Sequence, residues 1–328
     1  MNSKLYGLMV STLAIVIPFG AFSDIVEPFN TSNLNPFVQT HNLPSARSAQ
    51  VIERNTWQFR LTSEVANNFT SSDQNRETIK IDGETWRNQL TINYGMSERF
   101  EVSIAIPYVV HDGGTFDGFI EGWHKTFGLP NGNRNSTERD QLLYQWQADG
   151  SMGYNLSNKA QGLGDVRLQL ALQLYKEANR HITLISGAKL STGDADLLLG
   201  SDSNDIFAGI YLSQHNFLGK SSLTFHGSIG GVRLGDSHLT RVKDWAGYGS
   251  LSLIWKRWQS VALKTQLDFH TALYKSRLSE LGKFSGQLSV GGTIAINKKM
   301  SLDIGVVEDI ITDTSPDVVF HLSIRRHF

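Results

Sequence analysis

Two short stretches, His226-Gly227-Ser228 and His321-Leu322-Ser323, set a histidine two residues from a serine. On a β-strand this spacing puts both side chains on one face, as a serine nucleophile activated by an imidazole would require. A hydrolase also needs a group to orient the imidazole and donors for the developing oxyanion, and no motif supplies either. The pairs therefore leave an outer-membrane lipid hydrolase as an alternative and name no catalytic residue. Asp194, Asp196, Asp202 and Asp205 gather in one stretch, and carboxylate oxygens suit a hard divalent cation. Their spacing fits no calcium loop, however, and solvated turns favour the same residues. Cysteine is absent, which excludes disulfides and thiolate chemistry, and the 10 histidines lack metal-ligand spacing. No cofactor and no metal site is expected.

The remaining charged residues are notable for where they fall. Arg60, Glu64, Arg87, Arg167, Lys264 and Asp268, with Glu101, Asp165, Lys189, Asp303, His321 and Arg325, lie on the polar side of segments whose other side is apolar. Trp57, Phe59, Leu61 and Val65 oppose Gln58, Arg60, Thr62 and Glu64; Leu168, Leu170, Leu172 and Leu174 oppose Arg167, Gln169, Ala171 and Gln173. A period of two is that of a β-strand, and a helix would scatter these leucines around its circumference. Further strands are read near 86–94, 100–108, 181–191, 205–215, 221–233, 245–255, 260–270, 283–296, 300–311 and 317–328, about twelve in all. The stretch 205–215 is the least clear, since both its faces carry apolar residues, and Pro107 is placed at the rim of its strand, where a bulge or strand end tolerates it.

Short turns, such as 96–99, 176–180 and 297–299, alternate with mostly longer loops, and aromatics collect near strand ends, including Trp57, Tyr94, Trp255 and Phe328. Hydrocarbon offers no partner to a backbone amide, so strands that cross it must close into a ring. The expected fold is all-β: a transmembrane antiparallel β-barrel of about twelve strands, short turns and both ends on the periplasmic side. A soluble barrel or sandwich would alternate in the same way but turn its apolar face inward.

Lys4 and the apolar stretch 5–19, followed by Ala21 and Ser23, read as a secretory signal cleaved near residue 23. The expected organisation is a signal peptide at 1–23, a periplasmic lead-in at 24–50 and the barrel at 51–328. A long outer loop or plug falls at 111–163. Loops of that length are usually functional or disordered, and this one reads either as a plug or gate or as a surface excursion packed on itself. Two short helices are expected in it, one with Ile120, Trp123 and Phe127 on a face and one carrying Leu142, Leu143 and Trp146. Trp123, His124 and Phe127 are the gate candidates.

The segments Gly162-Leu163-Gly164-Asp165, Thr192-Gly193-Asp194, Leu199-Gly200-Ser201 with Asp205, and the loop 119–130 around Trp123-His124 resemble an uncharacterised family of proteobacterial outer-membrane β-barrels. That family is similar in turn to barrels found beside aromatic-degradation pathways. The resemblance covers most of the mature chain and implies an outer-membrane address without an activity or catalytic residues.

The 328 residues carry a formal net charge of -1, with basic residues scattered, so a nucleic-acid partner is not expected. Expected partners are outer-membrane lipid and lipopolysaccharide, the barrel-assembly machinery reading Phe328, and a small hydrophobic or polar solute. The expected function is a passive channel or binding protein for that solute, with Arg60, Glu64, Arg87, Arg167, Lys264 and Asp268 lining the pore and setting its preference. The further alternatives are opposite charges that pair and close the lumen, and a structural or adhesive barrel with no solute path.

Overall fold

The computed structural model describes residues 26–114, 141–311 and 313–328. Its core is a closed antiparallel ring. In chain order the strands are β1 (Trp57–Gln74), β2 (Glu77–Gly95), β3 (Phe100–Asp112), β4 (Leu143–Ala148), β5 (Ser151–Leu156), β6 (Ala160–Leu163), β7 (Val166–Lys176), β8 (Arg180–Leu190), β9 (Asp205–His215), β10 (Leu223–Arg233), β11 (Trp245–Lys256), β12 (Val261–His270), β13 (Ser285–Asn297), β14 (Met300–Asp309) and β15 (Val318–His327). Twelve of them pair in sequence, with β4, β5 and β6 outside the ring, and β15 closes on β1 from Gln58↔His327 to Asn67↔Val318. Phe328 completes the seam. Its N–H donates to the Trp57 carbonyl at 2.9 Å and its ring meets Phe59 edge to face at 5.3 Å.

Alternation decides which face meets lipid. Leu61, Leu263 and Leu322 are 54%, 41% and 45% exposed, whereas Arg60, Lys264 and His321 beside them are 4%, 3% and 2% exposed. An apolar outside around a charged inside is the arrangement of a membrane barrel and the reverse of a soluble one. Leu170 sits mid-strand on this outer face, between Val102 and Ser186. Leu170→Arg is therefore expected to cost about 2–4 kcal/mol in a urea titration of the refolded barrel, the range for a cation at the bilayer midplane. An inward Gln173→Arg is not expected to carry that lipid penalty.

Three parts differ from the expected pattern. First, β1 and β2 run past the bilayer as an 18- and 19-residue hairpin, where a span needs about 9–11 residues. Asn75 and Arg76, both at positive φ, make the tight turn that matches strand twist. Second, the expected helix with Leu142, Leu143 and Trp146 is β4, which pairs with β2 and β5. Its Tyr144 and Trp146 face inward together, so the apolar spacing belonged to a strand. Third, Pro107 lies within β3 rather than at its rim. The partner of β3 changes there from β7, ending at Ala105↔Arg167, to β6, starting at Tyr108↔Leu163, and the missing amide falls at that irregularity.

Candidate functional site

The stretch expected as a periplasmic lead-in occupies the bore instead. Residues 26–51 belong to no strand, are almost all buried, and bond to inward side chains all around the ring. The segment enters near the turn side, climbs to the loop side, reverses, and descends to begin β1 at Trp57.

On the way up, the Glu27 carboxylate accepts from Arg60, from Arg325 Nη1 at 2.8 Å and from Gln58 Nε2 at 2.8 Å. Phe29 lies against the Lys264 ammonium at 4.7 Å and edge-on to His321 at 5.4 Å. Gly305 makes room for it, since a Cβ there would stand 3.0 Å from the ring. The Thr31 hydroxyl donates to Asp268 at 2.8 Å, and Gln266 Nε2 donates to the Phe29 carbonyl at 3.1 Å.

The crossing at the loop side is an apolar cap. Phe37 packs edge-on to Trp146 and Tyr154, and the Tyr274 hydroxyl donates to the Phe37 carbonyl at 2.9 Å. Burial raises the Tyr274 phenol well above its ordinary pKa, so it stays a donor. Asn42, at φ 42°, makes the reversal. Its side-chain oxygen accepts from Arg87 at 2.6 Å and Arg167 at 2.9 Å. On the way down, Arg47 pairs with Glu101 at 2.6 Å, the Ala49 N–H donates to Ser213 at 2.8 Å, and the Val51 N–H donates to Gln173 at 3.1 Å.

All six pore-lining candidates thus face inward, and all six touch this segment. Arg60 holds Glu27, Glu64 accepts from the Ser32 N–H at 3.4 Å, and Arg87 and Arg167 hold Asn42. Lys264 lies on Phe29, and Asp268 accepts from Thr31. Charges also pair along the wall, Lys264 with Asp303 at 3.0 Å and Lys189 with Asp165 at 2.7 Å and Asp205 at 3.1 Å, and the Glu64 carboxylate meets His321 Nδ1 at 3.1 Å. Each pair joins residues on, or directly preceding, neighbouring or next-neighbouring strands and does not cross the bore.

The glycine-rich segments behind the family resemblance meet at one point. The Asp165 carboxylate accepts from the backbone of Thr192 at 3.1 Å, Gly193 at 2.9 Å and Ser201 at 3.0 Å, as well as from Lys189. Gly200 has to be glycine, because a Cβ would lie 2.3 Å from Asp165 Oδ1. This clamp folds 191–204 over the mouth. The Leu198 carbonyl then accepts from Gln39 of the lumen segment and from His111 at 3.1 Å.

Neither His-x-Ser pair is assembled for hydrolysis. His226 Nδ1 meets Ser213 at 2.7 Å while Ser228 bonds Ser250, and His321 meets Glu64 while Ser323 bonds Thr62. Of the four aspartates, Asp205 is committed to Lys189, and no group of three metal-ligating side chains occurs among the described residues. The gate candidates Trp123, His124 and Phe127 lie outside the described residues. At the turn side the lumen opens into a vestibule of about 710 Å³ lined by Gln50, Lys176, His181, His215, Thr224 and Lys256.

Residues 4–328 match the family described as "Protein of unknown function (DUF3187)". No curated protein matches the chain. Among solved structures, the COG4313 outer membrane channel from Pseudomonas putida F1 is 12% identical, with 85% of this chain and 98% of that one covered and a TM-score of 0.56. The NanC porin is 7% identical, covering 82% and 98%, with a TM-score of 0.45. The Ralstonia pickettii toluene transporter TbuX is 11% identical, covering 95% and 97%, with a TM-score of 0.37. The likeness to the first is one of fold.

Proposed function

The chain belongs to the DUF3187 family of proteins of unknown function, and for this member we propose passive passage of a small solute through the bacterial outer membrane, stoppered by residues 26–51. The observation that carries this reading is that the bore is filled by a segment outside the ring of strands. Its ties to the wall are side-chain hydrogen bonds, ion pairs and ring contacts, so it can leave while every strand keeps its neighbours. A purely structural barrel has no use for a polar, charged bore behind a separable stopper.

The address follows from the same chemistry. The lipid-facing belt requires a bilayer, the residues at 1–23 supply an export signal, and Phe328 at the closing seam supplies the terminal aromatic for the assembly machinery. At the turn side, Trp57 packs on Tyr94 at 4.5 Å and Arg257 lies over Trp255 and Trp258, an aromatic end for the periplasmic leaflet, and lipopolysaccharide would meet the opposite, loop-side end.

The test is solute flux through the refolded protein in proteoliposomes, with the segment present and removed. The reading expects slow flux with the segment and fast flux without it. No flux in either chain would overturn passage and leave a structural barrel.

A further inference from the structure

We propose that Arg60 and Arg325, with Gln58, form a carboxylate-binding site in the bore, occupied in this structure by the chain's own Glu27, and that the solutes the barrel takes are small organic carboxylates that compete with Glu27 for it. The solute class rests on the passage reading above, whereas the site itself does not.

The geometry is that of a built anion site. Two guanidinium groups from adjacent strands, paired across β1 and β15 at Arg60↔Arg325, converge on one carboxylate. Gln58 donates a third hydrogen bond at 2.8 Å, and Asn93 Nδ2 fixes Gln58 by donating to its oxygen at 2.6 Å. Guanidinium groups favour carboxylate oxygens because their fixed donors match that plane. Both arginines are buried, so the site cannot stand empty and dry: once Glu27 withdraws, either water or another anion must take its place.

The surroundings favour the anion. With Glu27 gone, Arg60, Arg325 and Lys264 face Asp303, which Lys264 and Thr293 already hold, and Glu64, which His321 holds. Removing Glu27 thus takes away the carboxylate that Arg60 and Arg325 share. The ligand Glu27 presents is itself a small alkyl carboxylate, so acetate and propionate are the nearest free equivalents.

The experiment uses the full chain with Glu27→Ala, which removes the internal carboxylate and keeps the wall. Heat-induced unfolding in detergent is followed with sodium acetate, and with acetamide as the neutral probe of the same shape. Acetate is expected to raise the unfolding temperature of the Glu27→Ala chain saturably while acetamide does not. The unsubstituted chain and Glu27→Gln, whose sites are filled, should not respond. Equal effects of acetate and acetamide, or an equal acetate response in Glu27→Gln, would overturn the site.

Solute class is read separately, from reversal potentials in potassium acetate gradients. Glu27→Ala should pass acetate in preference to potassium, and Glu27→Ala with Arg60→Gln should lose that preference. An unchanged preference in the double variant would overturn the solute class. No current in any chain would count against passage, and acetate rescue would still decide the site.

Discussion

A chain lacking residues 26–51 is expected to conduct on the order of tenfold more than the full chain in a planar bilayer, since twelve strands lie between eight, which side chains can fill, and sixteen, which leave an aqueous channel. The effect should be large because, among the described residues, nothing else crosses the middle of the bore. Lys264–Asp303, Glu64–His321 and the Lys189 pairs run along the wall between strands close in the ring. The ring should survive the deletion, as its ladders run from β1 to β15 without the segment. Arg87 and Arg167 lose Asn42 but gain water in a flooded lumen, so no charge is left buried and unsolvated. Conductance unchanged by the deletion would mean that wall side chains or the mouth close the path.

Asp165→Ala is expected to destabilise the folded barrel by about 3–5 kcal/mol in urea, because one buried carboxylate serves three backbone donors and an ammonium. Asp205 remains to hold Lys189, so most of the loss comes from the stranded amides of Thr192, Gly193 and Ser201. The loop 191–204 should detach and take the Leu198 carbonyl away from Gln39 and His111. Protease cleavage within 191–204 should then appear, well before the strands unfold. Asp165→Asn, which keeps one acceptor, should lose less. A loss under about 1 kcal/mol would show that the clamp is a solvated turn of little consequence.

How legible each part was in sequence follows from its surroundings. The ring was readable because lipid and bore impose opposite polarity on alternate residues, as at Arg60–Leu61 and Leu263–Lys264. β9 was faint because the loop side of the lumen is itself apolar: Phe207 and Tyr211 turn inward into the cluster with Leu198, Tyr248 and Tyr274. β4 was misread since a short apolar run fits either period until its partner is known. The lumen segment had no period at all. Its Asn, Ser, Thr and Pro residues suit a linker, and its partners lie far along the chain, 237 residues away for Thr31 with Asp268 and 281 for Asn33 with Thr314. The charged wall residues share the inward face that alternation marks, but their shared partner has no signal in strand patterns. The glycine-rich motifs were conspicuous in sequence, and only the fold shows that Asp165 joins them.

The most direct test of a separable stopper is to tie it in place. The chain has no cysteine, so Ser48→Cys with Ser213→Cys introduces a unique pair where the two hydroxyls now stand 3.5 Å apart, one on the segment and one on β9. Solute flux through the same reconstituted sample is measured oxidised and then reduced. The account predicts flux near background when oxidised and restored by reductant; equal flux in both states would contradict it.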